Sequence, residues 1–119
     1  MLLDNFDKNN IIHMVGIGGV SMSGIAEILK HWGFVVTGSD AFESDTTKKL
    51  NLDGIHVIIG HDVNMVSKAD LVIYTAAISN DDPELVKAKE LGIPTMERAD
   101  FLGLITGHNL CLPYLMPNI

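Results

Sequence analysis

Ile11-Ile12-His13-Met14-Val15-Gly16-Ile17-Gly18-Gly19-Val20-Ser21-Met22-Ser23-Gly24-Ile25-Ala26 is the stretch that decides the fold. The five residues before Gly16 are almost continuously apolar, as in a strand buried on both faces. From Ser21 the period changes. Met22, Ile25, Ala26, Ile28, Leu29 and Trp32 recur at spacings of three and four, which predicts a helix, and Gly33 closes it. A glycine-rich loop between a strand and a helix lets the backbone approach a diphosphate closely. The N–H groups around Val20 to Ser23 would hold the anion, helped by the helix dipole.

The same alternation continues outward. Phe34–Thr37 predicts a second strand ending in Gly38-Ser39-Asp40, Thr46–Leu52 a short helix, and His56–Ile59 a third strand ending in Gly60-His61-Asp62. Val63–Lys68 reads as a short helix or turn, and Leu71–Tyr74 as the most apolar strand, running into Thr75-Ala76-Ala77-Ile78-Ser79. Asp81-Asp82-Pro83-Glu84 has the acidic cap, the N1 proline and the first-turn glutamate of a helix start; that helix runs to about Leu91 and stops at Gly92. Pro94–Met96 is a short fifth strand, and a last helix spans about Arg98 to Ile105. Alternating strands and helices predict an α/β, Rossmann-like, doubly wound sheet of five mostly parallel strands with helices on both faces. Ligands then belong at the carboxyl ends of the strands, where the strand order reverses. Two prolines in the last stretch predict an irregular tail over 108–119, after one domain spanning 1–107.

Composition narrows the function. The chain has 119 residues, 47% hydrophobic and 19% charged, enough for one folded core. Eight Lys and Arg against 15 Asp and Glu give a formal charge of −7, which disfavours nucleic acid as a partner but suits solubility. A single cysteine, Cys111, gives no disulfide framework and fits a reducing, cytoplasmic setting. No run reaches the ~18 apolar residues of a membrane helix, so no membrane partner is expected, and the first ten residues lack the apolar centre of a secretory signal. The five histidines show no metal-ligand spacing, so no metal site is expected. There is no nucleophile elbow, no Cys–His signature and no G-x-x-x-x-G-K-[ST] loop, so no catalytic residue is assigned.

Each candidate site residue has a plainer reading beside it. Ser21 replaces the third glycine of G-x-G-x-x-G, and Ser21 or Ser23 would serve equally as a helix cap. Asp40 lies 24 residues after Gly16, where an acidic residue takes a ribose hydroxyl; the plainer reading is a turn. His61 fits a ligand-facing loop or an ordinary surface, whereas His13 reads as a core or edge histidine. The small residues after the fourth strand admit a ligand, or simply pack well. Loop and Asp40 together also suit NAD in a regulatory or dehydrogenase module. A third reading is a chain that binds nothing and associates through exposed apolar surface.

His13–Glu27, Gly38-Ser39-Asp40, Ala76-Ala77-Ile78-Ser79, Asp82-Pro83-Glu84, and Ile93-Pro94 with Glu97-Arg98-Ala99 together resemble the Mur ligases in five motifs spread over residues 10 to 106. The resemblance is to their N-terminal UDP-sugar-binding domain, in the branch that joins L-alanine to UDP-N-acetylmuramate in bacterial peptidoglycan synthesis. The branch that recycles murein tripeptide onto the same sugar is its nearest rival. The resemblance implies UDP-N-acetylmuramate as ligand. Gly16, Gly18, Gly19, Val20, Ser21, Met22 and Ser23 would hold its diphosphate, Asp40 would lie on the uridine side with His61 nearby, Thr75, Ala76 and Ala77 would line the site, and Arg98 would support the sugar end. In that family ATP and Mg2+ are bound by a second domain with its own Gly-Lys-Thr loop. The chain departs from the family near Gly107, so it is expected to bind the sugar nucleotide without cofactor and without ligating alanine. Its oligomeric state stays open.

Overall fold

A computed structural model describes residues 10–106. The expected tail at 108–119, Cys111 and the first nine residues lie outside them. Ten elements alternate: β1 (Ile11–Val15), α1 (Val20–His31), β2 (Val35–Asp40), α2 (Asp45–Leu52), β3 (His56–Ile59), α3 (Val63–Ser67), β4 (Leu71–Tyr74), α4 (Pro83–Glu90), β5 (Thr95–Glu97) and α5 (Arg98–Thr106). The strands form one sheet in the order β3-β2-β1-β4-β5, and every pairing is parallel. The order reverses between β1 and β4, which opens a crevice at their carboxyl ends.

Strand parity sorts the side chains onto two faces. Ile12 and Met14 of β1, Val36 of β2, Val57 of β3, and Leu71 and Ile73 of β4 pack under Met22, Ile25, Ala26 and Leu29 of α1, Leu50 of α2 and Phe101 of α5. Val15 and Val72 pack on the other face with Val66 of α3 and Leu85 and Ala88 of α4. The helical spacing read from the sequence therefore marks the buried face of α1, with Ile28 and Trp32 at its margin.

Helices return to strands by one repeated device. After α1, Gly33 takes φ 97°, and the amides of Gly33 and Phe34 bond back to the carbonyls of Lys30 and Leu29. A residue with Cβ is strained at that φ, so glycine marks the stop. The same pair of bonds ends α2 at Gly54-Ile55 and α4 at Gly92-Ile93. Phe34 is spent in this turn, so β2 begins one residue later than the apolar pattern predicts.

The other end of β2 falls where the sequence reading put it, on Asp40, and the plainer turn reading does not hold. Gly38-Ser39-Asp40 is paired strand, with Gly38↔Val57, Ser39↔Ile58 and Asp40↔Ile59 in register. Strand propensity argues against Gly-Ser-Asp, but packing overrides it. Ile17 of the glycine loop is fully buried, and a Cβ on Gly38 would stand 2.4 Å from its Cδ1 and 2.9 Å from the Met14 carbonyl oxygen. Glycine at 38 is the space into which the loop seats. Smaller shifts occur at β5, which runs Thr95–Glu97, and at α1, which starts at Val20.

Candidate functional site

Register places the candidate residues along one edge. Val15, Ser39 and Ile58 lie abreast, as do Tyr74 and Glu97. One step further lie Gly16, Asp40, Ile59, Thr75 and Arg98, at the carboxyl end of all five strands. The glycine loop is fixed from below by β2: the amides of Gly16 and Ile17 both donate to the Ser39 carbonyl, at 2.8 and 2.9 Å. From the side, the Gly18 amide donates to Asp40 Oδ2 at 2.8 Å. A Cβ on Gly18 would stand 2.7 Å from that oxygen. Asp40 Oδ1 accepts the Phe42 amide at 3.2 Å, so Asp40 shapes the chain on both sides of the crevice edge. Across the crevice, the turn after β4 closes with an Ile78 to Thr75 bond, and Ile78 packs toward Gly16.

The start of α1 is bare. Its N-cap is Gly19, in extended backbone with no side-chain bond, and no acidic residue stands in the first turn. Neither serine caps it. Ser23 Oγ donates back to the Val20 carbonyl at 3.0 Å, and Ser21 Oγ accepts from Arg98 Nη1 at 3.2 Å. The first amide to find an acceptor is Ser23, on the Gly19 carbonyl; among the described residues Val20, Ser21 and Met22 offer theirs outward. The Met22 side chain is buried in the core, so it presents only backbone here, while Val20 is 94% exposed. Three donors, the positive end of a twelve-residue helix and a guanidinium beside it make an edge whose chemistry suits an anion.

The start of α4 is filled. Asp82 caps it by accepting the Glu84 amide at 2.9 Å, and Pro83 takes the first helical position. Glu84 is fully buried. Its Oε1 accepts from His13 Nε2 and Ser39 Oγ, both at 2.7 Å, and Oε2 accepts the Asp62 amide at 2.9 Å. A carboxylate only accepts, so the His13 proton sits on Nε2, and Nδ1 faces Thr37 Oγ1 at 2.8 Å. Burial pushes the Glu84 carboxyl up, but the hydrogen bonds from His13, Ser39 and Asp62 outweigh it and hold the group below the usual glutamate value.

His61 sits on the same edge, with about half of its side chain exposed. Its Nδ1 is 3.4 Å from Glu84 Oε2, and its Nε2 is 3.9 Å from Asp82 Oδ2. Ala76 and Ala77 are exposed in the turn after β4, with Thr75 half-buried behind them. His13 is a core residue, as its place in an apolar strand suggested. What sequence reasoning missed is Glu84, read only as a helix-start acid. The available signal was two polar residues, His13 and Ser39, at strand positions facing α4, since buried polar groups require partners.

The loop does not fit a triphosphate with its metal. In register with Gly19, Val20 stands where such loops carry Lys, and Met14 where they carry the first glycine. Among the described residues, no three His, Cys, Asp or Glu side chains gather as a metal set, and no helix is long and apolar enough to cross a membrane.

Residues 11–109 match the model of the Mur ligase family, catalytic domain. The UDP-N-acetylmuramate–L-alanine ligase of Clostridium botulinum is 54% identical over 104 residues, which are 86% of this chain and 23% of the relative. Among solved structures, the UDP-N-acetylmuramate–alanine ligase of Thermotoga maritima superposes with a TM-score of 0.77 at 34% identity, over 81% of this chain and 22% of that one. A murein peptide ligase from Psychrobacter arcticus gives 0.72 at 26% identity, over 81% and 20%. The chain thus spans about a fifth of the length of the relatives it matches, and it corresponds to the N-terminal domain of the alanine-adding branch rather than to a dinucleotide module. Fold, glycine loop and relatives agree that this chain belongs to the Mur ligase family.

Proposed function

We propose that this chain binds UDP-N-acetylmuramate and presents it for ATP-dependent ligation to L-alanine in the cytoplasm, holding the substrate without performing the chemistry alone. The observation that carries this reading is the bare start of α1. The Val20, Ser21 and Met22 amides would receive the diphosphate oxygens, and Arg98 would add charge at the sugar end. Asp40 keeps lone pairs beyond its bonds to Gly18 and Phe42, enough to accept a ribose hydroxyl. His61 would stand beside the uridine, and Thr75, Ala76 and Ala77 would form a low wall that admits the sugar. The alanine-adding branch is favoured by relatives of that name at 54% and 55% identity, and by 34% against 26% and 30% for the murein peptide ligases in the structural matches. ATP in the family would supply the phosphoryl group that activates the sugar's carboxylate; no residue described here fits that role.

The test is a thermal-shift titration of the chain with UDP-N-acetylmuramate, UDP and NAD. Saturation at a hundred times Kd stabilises a fold by about 2.7 kcal/mol, or on the order of 10 °C for a domain this size. Shifts with both UDP compounds and none with NAD are expected. A shift with NAD alone overturns the reading.

A further inference from the structure

We infer that Glu84 is the positioning residue of the ligand cleft: one buried carboxylate sets both the glycine loop and the His61 loop. This rests on the cleft being the UDP-sugar site proposed above. Two arms leave the carboxylate. Through Oε1 it holds Ser39 Oγ at 2.7 Å, and the Ser39 carbonyl is the shared acceptor for the Gly16 and Ile17 amides. Through Oε2 it holds the Asp62 amide at 2.9 Å and faces His61 Nδ1 at 3.4 Å. The residue between those two ends of the edge, Asp40, takes its own backbone from the same strand and accepts the Gly60 amide at 2.7 Å. His13 completes the set of donors to the carboxylate from β1, two residues ahead of Val15. Glu84 itself is fully buried, so it touches no ligand. Its effect travels one hydrogen bond to each loop that does.

Glu84→Gln keeps the volume but removes the charge, so both arms lose their charge-assisted hydrogen bonds. The measurement is residue-resolved amide hydrogen exchange on the full chain, with UDP titrations alongside. In E84Q, exchange at Asp62 is expected to quicken at least tenfold and at Ile17 severalfold, while Ile73 in the centre of the sheet stays within twofold. The UDP Kd is expected to rise about tenfold or more. Ser39→Ala cuts one arm only: Ile17 should loosen while Asp62 holds. Equal acceleration at Ile73 and at the loops would reduce Glu84 to a general structural role and overturn the inference. So would loosened loops with an unchanged Kd. Should the unmutated chain take no UDP at all, the UDP-sugar reading falls, and the exchange pattern alone decides whether Glu84 sets the loops.

Discussion

Two helices start at the same edge of the sheet, and their first turns are built in opposite ways. α4 opens on Asp82, Pro83 and Glu84, with its cap made and its buried carboxylate holding three donors. α1 opens on Gly19, with no cap, no acid and three amides turned outward. A helix start with glycine at the cap forgoes about a few tenths of a kcal/mol against a side-chain cap. Leaving that end open makes sense where an anion takes the cap's place, while the neighbouring start is closed tightly enough to hold the open one in shape. The stability of one junction underwrites the function of the other.

The largest effect should come from emptying the filled junction. Glu84→Ala strands His13, Ser39 and the Asp62 amide in the interior, and each buried donor left without its acceptor costs about 1–3 kcal/mol. Urea unfolding should show a midpoint lowered accordingly with little change in slope; a loss under about 1 kcal/mol would mean that the network is not the anchor. Acid should act in the same direction. Because the folded carboxyl is held below its unfolded value, its contribution is complete above the unfolded range, near 4.3, and is lost as the pH falls through the lower folded value. The native protein should therefore hold its stability down to about pH 5 and lose it below, and the E84Q profile should be flatter over that interval.

A smaller loss should follow from lifting the glycine loop off its seat. Gly38→Ala places a methyl 2.4 Å from Ile17 Cδ1 and 2.9 Å from the Met14 carbonyl oxygen, and overpacking of this kind costs about 1–3 kcal/mol. Ile17→Ala in the same chain should recover part of it, since the two changes share a contact, but not all, because the Cβ of residue 17 at 2.7 Å and the Met14 oxygen remain. Equilibrium unfolding of the two single variants and the double one gives the coupling directly. Strict additivity would show that the loop is not seated on Gly38.

The two junctions also differ in how far the sequence exposes them. Strand, glycine loop and helix follow from apolar runs and spacing, because a buried parallel strand and an amphipathic helix each write their period into the chain. Asp82-Pro83 is equally open, since caps and N1 prolines are local chemistry. What stays hidden is non-local. Gly38-Ser39-Asp40 keeps a turn reading beside the strand one, because what favours the strand, Ile17, lies twenty-one residues earlier in the chain. Glu84 reads as a dipole-matching acid because its partners lie on β1, β2 and the loop after β3. Ser21 and Ser23 look like caps because the sequence cannot show that Arg98, 77 residues from Ser21, occupies one of them.

The smallest change in stability should carry the sharpest change in function. Gly19 stands at φ −65° and ψ 154°, a backbone open to any residue, and a Cβ there meets nothing closer than 3.6 Å. Gly19→Asp or Gly19→Ser therefore fits, and either side chain can accept from the Ser21 or Met22 amide and close the helix start from within. Each should raise stability slightly, by a few tenths of a kcal/mol over glycine, with Asp gaining more from the helix dipole. Binding should move the other way. A cap occupies the donors that the diphosphate needs, and the aspartate adds repulsion, so UDP affinity should fall in the order Gly, Ser, Asp, with the aspartate variant weakened by about a hundredfold or more, close to 3 kcal/mol. Isothermal titration of the three chains checks the order. A capped, stabilised variant that still binds UDP like the native chain would show that the start of α1 is not where the anion sits.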